Sequence, residues 1–114
     1  MTELLVLALA GGLGAAGRYL LSRTVVVNLL GALGAGCMAG WVNALPASIP
    51  APAWASIVTL GFLGAFTTYS TWSLEGVEDF RQGNPLQAVV KLAGTLTAGV
   101  ALAGMGWWLT ALIA

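Results

Sequence analysis

Polar positions are so sparse along this chain that they divide it by themselves. Apolar runs extend from about Leu4 to Leu21, Val25 to Val42, Trp54 to Leu74 and Leu86 to Ile113. Each matches or exceeds the roughly 17–25 residues that a helix needs to cross hydrocarbon, so four membrane-spanning helices are predicted. Asn43 to Pro52 holds Pro46, Pro50 and Pro52 and predicts a loop. Glu75 to Pro85 carries Glu75, Glu78, Asp79 and Arg81, then Gln-Gly-Asn-Pro, and predicts another. Only Ser22, Arg23 and Thr24 separate the first two runs. Antiparallel helix neighbours usually take about 2–8 connecting residues. Either both helix ends are trimmed there or loop residues are absent from the chain, and the second is the expectation. The first run reads as a span and not as a cleaved leader, because no soluble domain follows it.

Composition agrees with lipid as the solvent. Of 114 residues, 59% are hydrophobic and 7% are charged, with a mean hydropathy of +0.92. Soluble domains carry about 25% charged residues, and a soluble fold of this size has no interior large enough for so much apolar surface. Four Lys and Arg balance four Asp and Glu, and there is no His. No basic patch is available for nucleic acid. The single Cys37 excludes an internal disulfide and a multi-cysteine metal site. Sixteen glycines recur through the runs, as they do where lipid-embedded helices pack closely; Gly61 and Gly64 are the best placed to mark a helix break. Trp41, Trp54, Trp107 and Trp108 sit near run ends, as interfacial anchors do, whereas Trp72 lies in a polar stretch.

Four short helices enclose too little for both a packed core and a pore, so at least a dimer is predicted. Arg23 and Arg81, with Lys91 close to the same side, place the first and third loops in the cytoplasm and both termini outside. So few charges also leave room for insertion in both orientations.

The chemistry concentrates in Gly64 to Ser73, GAFTTYSTWS. Thr67, Thr68, Ser70, Thr71 and Ser73 place five hydroxyls among the aromatics Tyr69 and Trp72. Hydrocarbon offers such groups no water, so at that depth they face protein or an aqueous path. One or two would be explained by bonds back to helix carbonyls. Five in seven residues beside glycines point to a polar passage, or to a helix break whose carbonyls can coordinate a cation. Arg18, in GRYLLSR, either snorkels to headgroups and caps its helix or supplies positive potential to an anion route. Asn28, in TVVVNLLG, either bonds a neighbouring helix or offers its amide N–H to an anion.

What is missing narrows the reading further. No carboxylate or His lies centrally in any run, which removes the titratable relay of a proton-coupled carrier. The hydroxyls have no base to activate them, so no enzyme is predicted. The remaining inventory of hydrogen-bond donors, aromatic edges and one Arg suits a small, strongly hydrated anion whose water shell is replaced as it passes.

With these residues in view, the chain resembles the bacterial fluoride channels of the CrcB/Fluc family over nearly its whole length. The resemblance rests on GGLGAAGRYLLS, TVVVNLLGALGAG and, most specifically, GFLGAFTTYSTWSLEG. It implies an all-α membrane protein with four transmembrane helices per subunit, the third broken near its middle, in an antiparallel dual-topology dimer with two pores. It implies a central structural Na⁺ held by the backbone carbonyls of Gly64 and Thr67. By motif position, the anion path takes in Asn28, Tyr69, Ser70, Thr71, Trp72, Ser73 and, by looser spacing, Thr95, with Arg18 in the vestibule. The family's two pore phenylalanines correspond here to Tyr69 and Trp72, and one glycine of its usual pair is Ala65. The implied function is passive export of F⁻ across the bacterial cytoplasmic membrane, relieving fluoride toxicity. A homodimer is the expectation; one subunit of a heterodimeric channel is the alternative suggested by the altered aromatics and one-sided charge. The rival from another class is a proton-coupled small multidrug exporter, which depends on a carboxylate inside its first span; here Glu3 stands at the edge.

Overall fold

A computed structural model describes all residues from Met1 to Ala114 and is helical nearly throughout. Helix α1 runs Thr2–Leu21, α2 Thr24–Ala44, and α6 Pro85–Ile113. These three are long and apolar enough to cross a membrane. At about 1.5 Å per residue, the 20 residues of α1 span about 30 Å, the thickness of the hydrocarbon core.

The segment between α2 and α6 is different. Helix α3 (Ala53–Ser56) passes into a π-helical stretch, Ile57–Leu63, and then into the single turn α4 (Gly64–Phe66). There the helix stops. Thr67 and Thr68 are extended, with ψ of 159° and 123°, before α5 (Tyr69–Arg81) resumes. The expected break is therefore present, and it falls at the two threonines. Glu75 to Arg81, predicted as loop from its charges, is the second half of α5, and only Gln82, Gly83 and Asn84 turn the chain into α6. Charges at that helical spacing form an i, i+4 row, Glu75 and Asp79, facing Lys91 of α6. Proline at the start of α6 uses a position whose N–H has no helical acceptor anyway.

The short first junction also closes without further residues. Ser22 adopts the left-handed conformation at φ 53°, its N–H bonds the Arg18 carbonyl, and its hydroxyl donates to the Tyr19 carbonyl at 2.8 Å. Two residues, Ser22 and Arg23, turn α1 into α2.

Packing is built on glycine. Helices α2 and α6 pair through a reciprocal approach: a Cβ on Gly36 would collide with the Ala103 backbone, and one on Gly106 would lie 2.6 Å from the Leu33 carbonyl oxygen and 2.9 Å from the Cys37 nitrogen. Helix α1 packs mainly on the π-helical stretch and α4, where a Cβ on Gly14 would strike the Phe62 carbonyl. Small residues allow this contact because in lipid dispersion and backbone proximity, not water exclusion, drive helix association. Only 12 of 114 residues are buried, while Leu4, Leu9, Leu60, Leu74, Val100 and Leu112 are exposed. An apolar outside of this extent fits lipid. The molecule measures 54 × 33 × 18 Å. The groove described below lies open to the outside.

Substitution Gly36→Ala is expected to destabilise the α2–α6 pair by about 1–3 kcal/mol, because backbones on both sides must move. Gly104→Ala, which meets nothing within 4 Å, is expected to be neutral or to gain up to about 1 kcal/mol of helix propensity. Denaturant unfolding of both variants in detergent, followed by circular dichroism, checks this; equal losses contradict it.

Candidate functional site

An interrupted helix leaves backbone groups without partners, and hydrocarbon supplies none. Asn28, one turn into α2, meets this need. Its Nδ2 donates to the Thr68 carbonyl at 2.8 Å, and the Thr68 N–H donates to its Oδ1, also at 2.8 Å. The carboxamide thereby acts as a peptide group, pairing both polar atoms of one extended residue. Only one orientation of the amide satisfies both bonds. A second Nδ2 hydrogen has no protein partner, and Asn28 borders the groove. Of the two readings left open by the sequence, the bond to a neighbouring segment is the one observed.

Thr68 is the pivot of the break. It is 7% exposed, and its side chain caps α5: Oγ1 accepts the Thr71 N–H at 3.3 Å and donates to Thr71 Oγ1 at 3.2 Å. Capping of this kind typically contributes about 1 kcal/mol. With its proton acceptor role filled by Thr68, the Thr71 hydroxyl keeps its own hydrogen free. Thr68 Oγ1 also lies 3.4 Å from Ser70 Oγ.

Two cavities meet at Thr68. The larger is an open groove of about 700 Å³ between α2, the broken segment and α6. It gathers Asn28, Gly64, Thr67, Tyr69, Trp72 and Thr95 from the predicted set. The smaller, about 230 Å³, is a mouth bordered by Arg18, Arg23, Thr24, Thr71 and Glu75. Thr68 lines both. Ser70 and Ser73 line neither, and the Ser73 hydroxyl is turned back onto the Ser70 carbonyl at 3.0 Å.

The hydroxyls divide by what holds their protons. Thr67 donates to the Leu63 carbonyl at 3.0 Å and Thr95 to the Lys91 carbonyl at 2.6 Å, the local back-bonding that membrane helices commonly show. Thr71 does not. The aromatic pair stands at the groove with ring centroids 5.5 Å apart. Tyr69 is 78% exposed, whereas the Trp72 indole N–H is buried without a partner.

The carbonyls of Gly64 and Thr67 fit a hard cation unequally. Thr68 N–H is taken by Asn28, so the Gly64 carbonyl has lost the donor a continuous helix would give it. Gly64 is exposed at the groove. The Thr67 carbonyl is shared with Arg18, whose Nη1 donates to it from 3.4 Å, leaving one lone pair. Two neutral oxygens suit an alkali ion, and one chain alone offers too few of them to complete a shell.

Sequence reasoning missed Thr24 and Glu75 at the mouth, and the lysine that pairs with Glu75 from outside it. Thr24 Oγ1 donates to Glu75 Oε1 at 2.6 Å, and Lys91 Nζ lies 2.8 Å from Glu75 Oε2. Reading Glu75 as helical would have found them, since it then stands one turn before Asp79 and opposite the start of α2.

The family described as CrcB-like protein, Camphor Resistance (CrcB), matches residues 5–107. Among curated relatives, the Fluoride-specific ion channel FluC 1 of Geobacillus kaustophilus is 39% identical over 90% of this chain and 93% of its own. The Fluoride-specific ion channel FluC 2 of Rhodococcus jostii is 39% identical over 96% and 99%. The Fluoride-specific ion channel FluC of a Methylobacterium species is 37% identical over 89% and 90%.

Replacing Asn28 by Ala leaves the Thr68 N–H and carbonyl unpaired at about 1–3 kcal/mol each. Hydrogen exchange at the Thr68 amide should rise at least tenfold, while amides in the middle of α6 keep their protection. Unchanged protection at Thr68 contradicts the clamp.

Proposed function

This chain belongs to the CrcB family, and from that premise we propose that it is a fluoride-selective channel through which F⁻ leaves the cytoplasm passively. It is a multi-pass membrane protein and not an enzyme. The observation that carries the channel reading is Thr68, a nearly buried residue that forms the wall shared by an arginine-bordered mouth and a polar-edged groove.

An anion drawn to Arg18 and Arg23 sheds water as it reaches the break. Its lost hydrogen bonds are replaced by the free Thr71 hydroxyl, then by the unpaired Asn28 Nδ2–H and the aromatic donors of Tyr69 and Trp72. Groups already fixed by the fold cost little reorganisation when they accept the ion. Ser70, Ser73 and Thr95 extend the polar route once a second subunit covers the groove. Fluoride is favoured over chloride because a narrow, donor-lined passage rewards the smaller and more strongly hydrated ion.

In this reading the broken segment from Ala53 to Arg81 is a fourth crossing, and the partner is a second, antiparallel copy. Support comes from the groove's open face, its Gly and Ala edges and the near-even charge of the chain. The Gly64 and Thr67 carbonyls of both copies would hold a sodium ion at their contact. Bound there, the cation supplies a fixed positive charge that ties the two breaks together. A bacterial cytoplasmic membrane, with lipid against the Leu-rich exterior, is the setting.

Purified protein in liposomes should release trapped fluoride, read with an ion-selective electrode, and retain chloride. Asn28→Asp should abolish the flux, since a carboxylate would repel both the Thr68 carbonyl and the anion. Retained fluoride in wild-type vesicles, or full flux in Asn28→Asp, contradicts the channel. Prolonged exchange of Na⁺ for a larger cation should impair flux; full activity afterwards removes the sodium site but leaves the channel standing.

A further inference from the structure

The arginine-bordered mouth contains a carboxylate. Glu75 borders the same cavity as Arg18 and Arg23, and neither arginine has an acidic partner within ion-pair distance. A free carboxylate there would oppose an approaching anion. In this structure neither of its oxygens is free. Thr24 donates to Oε1 at 2.6 Å, and Lys91 reaches across from α6 to lie 2.8 Å from Oε2. The same ammonium stands 4.0 Å from Asp79 Oδ2, an oxygen buried without a hydrogen-bond partner. Lys91 does not itself line the mouth; its ammonium sits beside Glu75, which does.

We propose that Lys91 is the charge-setting residue of the mouth: by neutralising Glu75 it leaves Arg18 and Arg23 to determine the sign of the potential that an anion meets. The inference rests on the channel reading, with the mouth as a door for fluoride. The charged groups around Glu75 are Arg18 on α1, Arg23 in the turn, Asp79 on α5 and Lys91 on α6, with the neutral Thr24 on α2. Three cations against two carboxylates leave a net charge of +1. Without Lys91 the same set of groups is neutral, with an unpaired carboxylate at the border of the mouth. The pair is partly shielded, with Lys91 27% and Glu75 37% exposed, so its field is screened less than that of a surface pair.

A tie that merely pinned α5 to α6 would lower stability and maximal flux together. A charge-setting residue instead lowers flux where capture limits it. The test is fluoride efflux from liposomes holding the full chain, across a range of trapped fluoride, at low and at about 1 M impermeant salt. Lys91→Gln should reduce flux about tenfold at low fluoride, the lower end of electrostatic steering. The loss should shrink at saturating fluoride and at high salt, where the Debye length falls to about 3 Å. Lys91→Gln with Glu75→Gln should restore low-fluoride flux, and Lys91→Arg should keep it. Wild-type-like flux in Lys91→Gln, or a loss that Glu75→Gln does not rescue, overturns the proposal. Should Lys91→Gln fail to assemble, Glu75→Gln alone reads the same charge: level or increased low-fluoride flux supports the proposal, and a decrease overturns it. Wild-type vesicles that hold their fluoride refute the channel and this inference together.

Discussion

One pair of hydrogen bonds carries the site. A membrane helix cannot be cut without stranding peptide groups, and the cut at Thr67 and Thr68 is tolerable because Asn28 supplies a side-chain peptide to Thr68. The local geometry of the break follows from that clamp. It orients Thr68 so that its hydroxyl caps α5, and the cap in turn leaves the Thr71 hydroxyl with a free proton. It also withholds the Thr68 N–H from Gly64, exposing a carbonyl at the groove. The same two bonds thus leave a free hydroxyl proton on one side of the break and a carbonyl without its helical donor on the other.

Lipid packing makes the clamp reachable. Asn28 reaches the break because α2 lies against the third segment, with Gly31 set directly under the Thr67 methyl. Helix α2 is held in turn by the glycine-mediated contact with α6. A chain with ordinary side chains at Gly31 and Gly36 would hold the helices too far apart for a single carboxamide to bridge. The abundance of glycine and the placement of one asparagine are therefore parts of one solution.

Much of this was legible in the sequence. Three long helices follow from apolar run length, and the break follows from hydroxyls and glycines crowded into GAFTTYSTWS. The groove brings together Asn28, Gly64, Thr67, Tyr69, Trp72 and Thr95, while Ser70, Thr71 and Ser73 stand outside it. Three features were not legible, each for a physical reason. Charge density masked the second half of α5, because Glu75 to Arg81 reads as solvated until Lys91 is seen to neutralise it. The two-residue turn at Ser22 depends on a left-handed conformation that serine adopts rarely. The use of each hydroxyl proton depends on three-dimensional neighbours: Ser73 and Thr71 look alike in sequence, yet one bonds a carbonyl and the other keeps its hydrogen.

That last distinction gives the account its sharpest consequence. If donors fixed by the break replace the water of a small anion, the hydroxyl with the uncommitted proton matters most. The direct measurement is fluoride efflux from liposomes carrying Thr71→Val, a substitution that keeps the shape of the side chain and removes its O–H. The account predicts at least a tenfold fall in flux from a protein that still folds and inserts. Wild-type flux in that variant would contradict it.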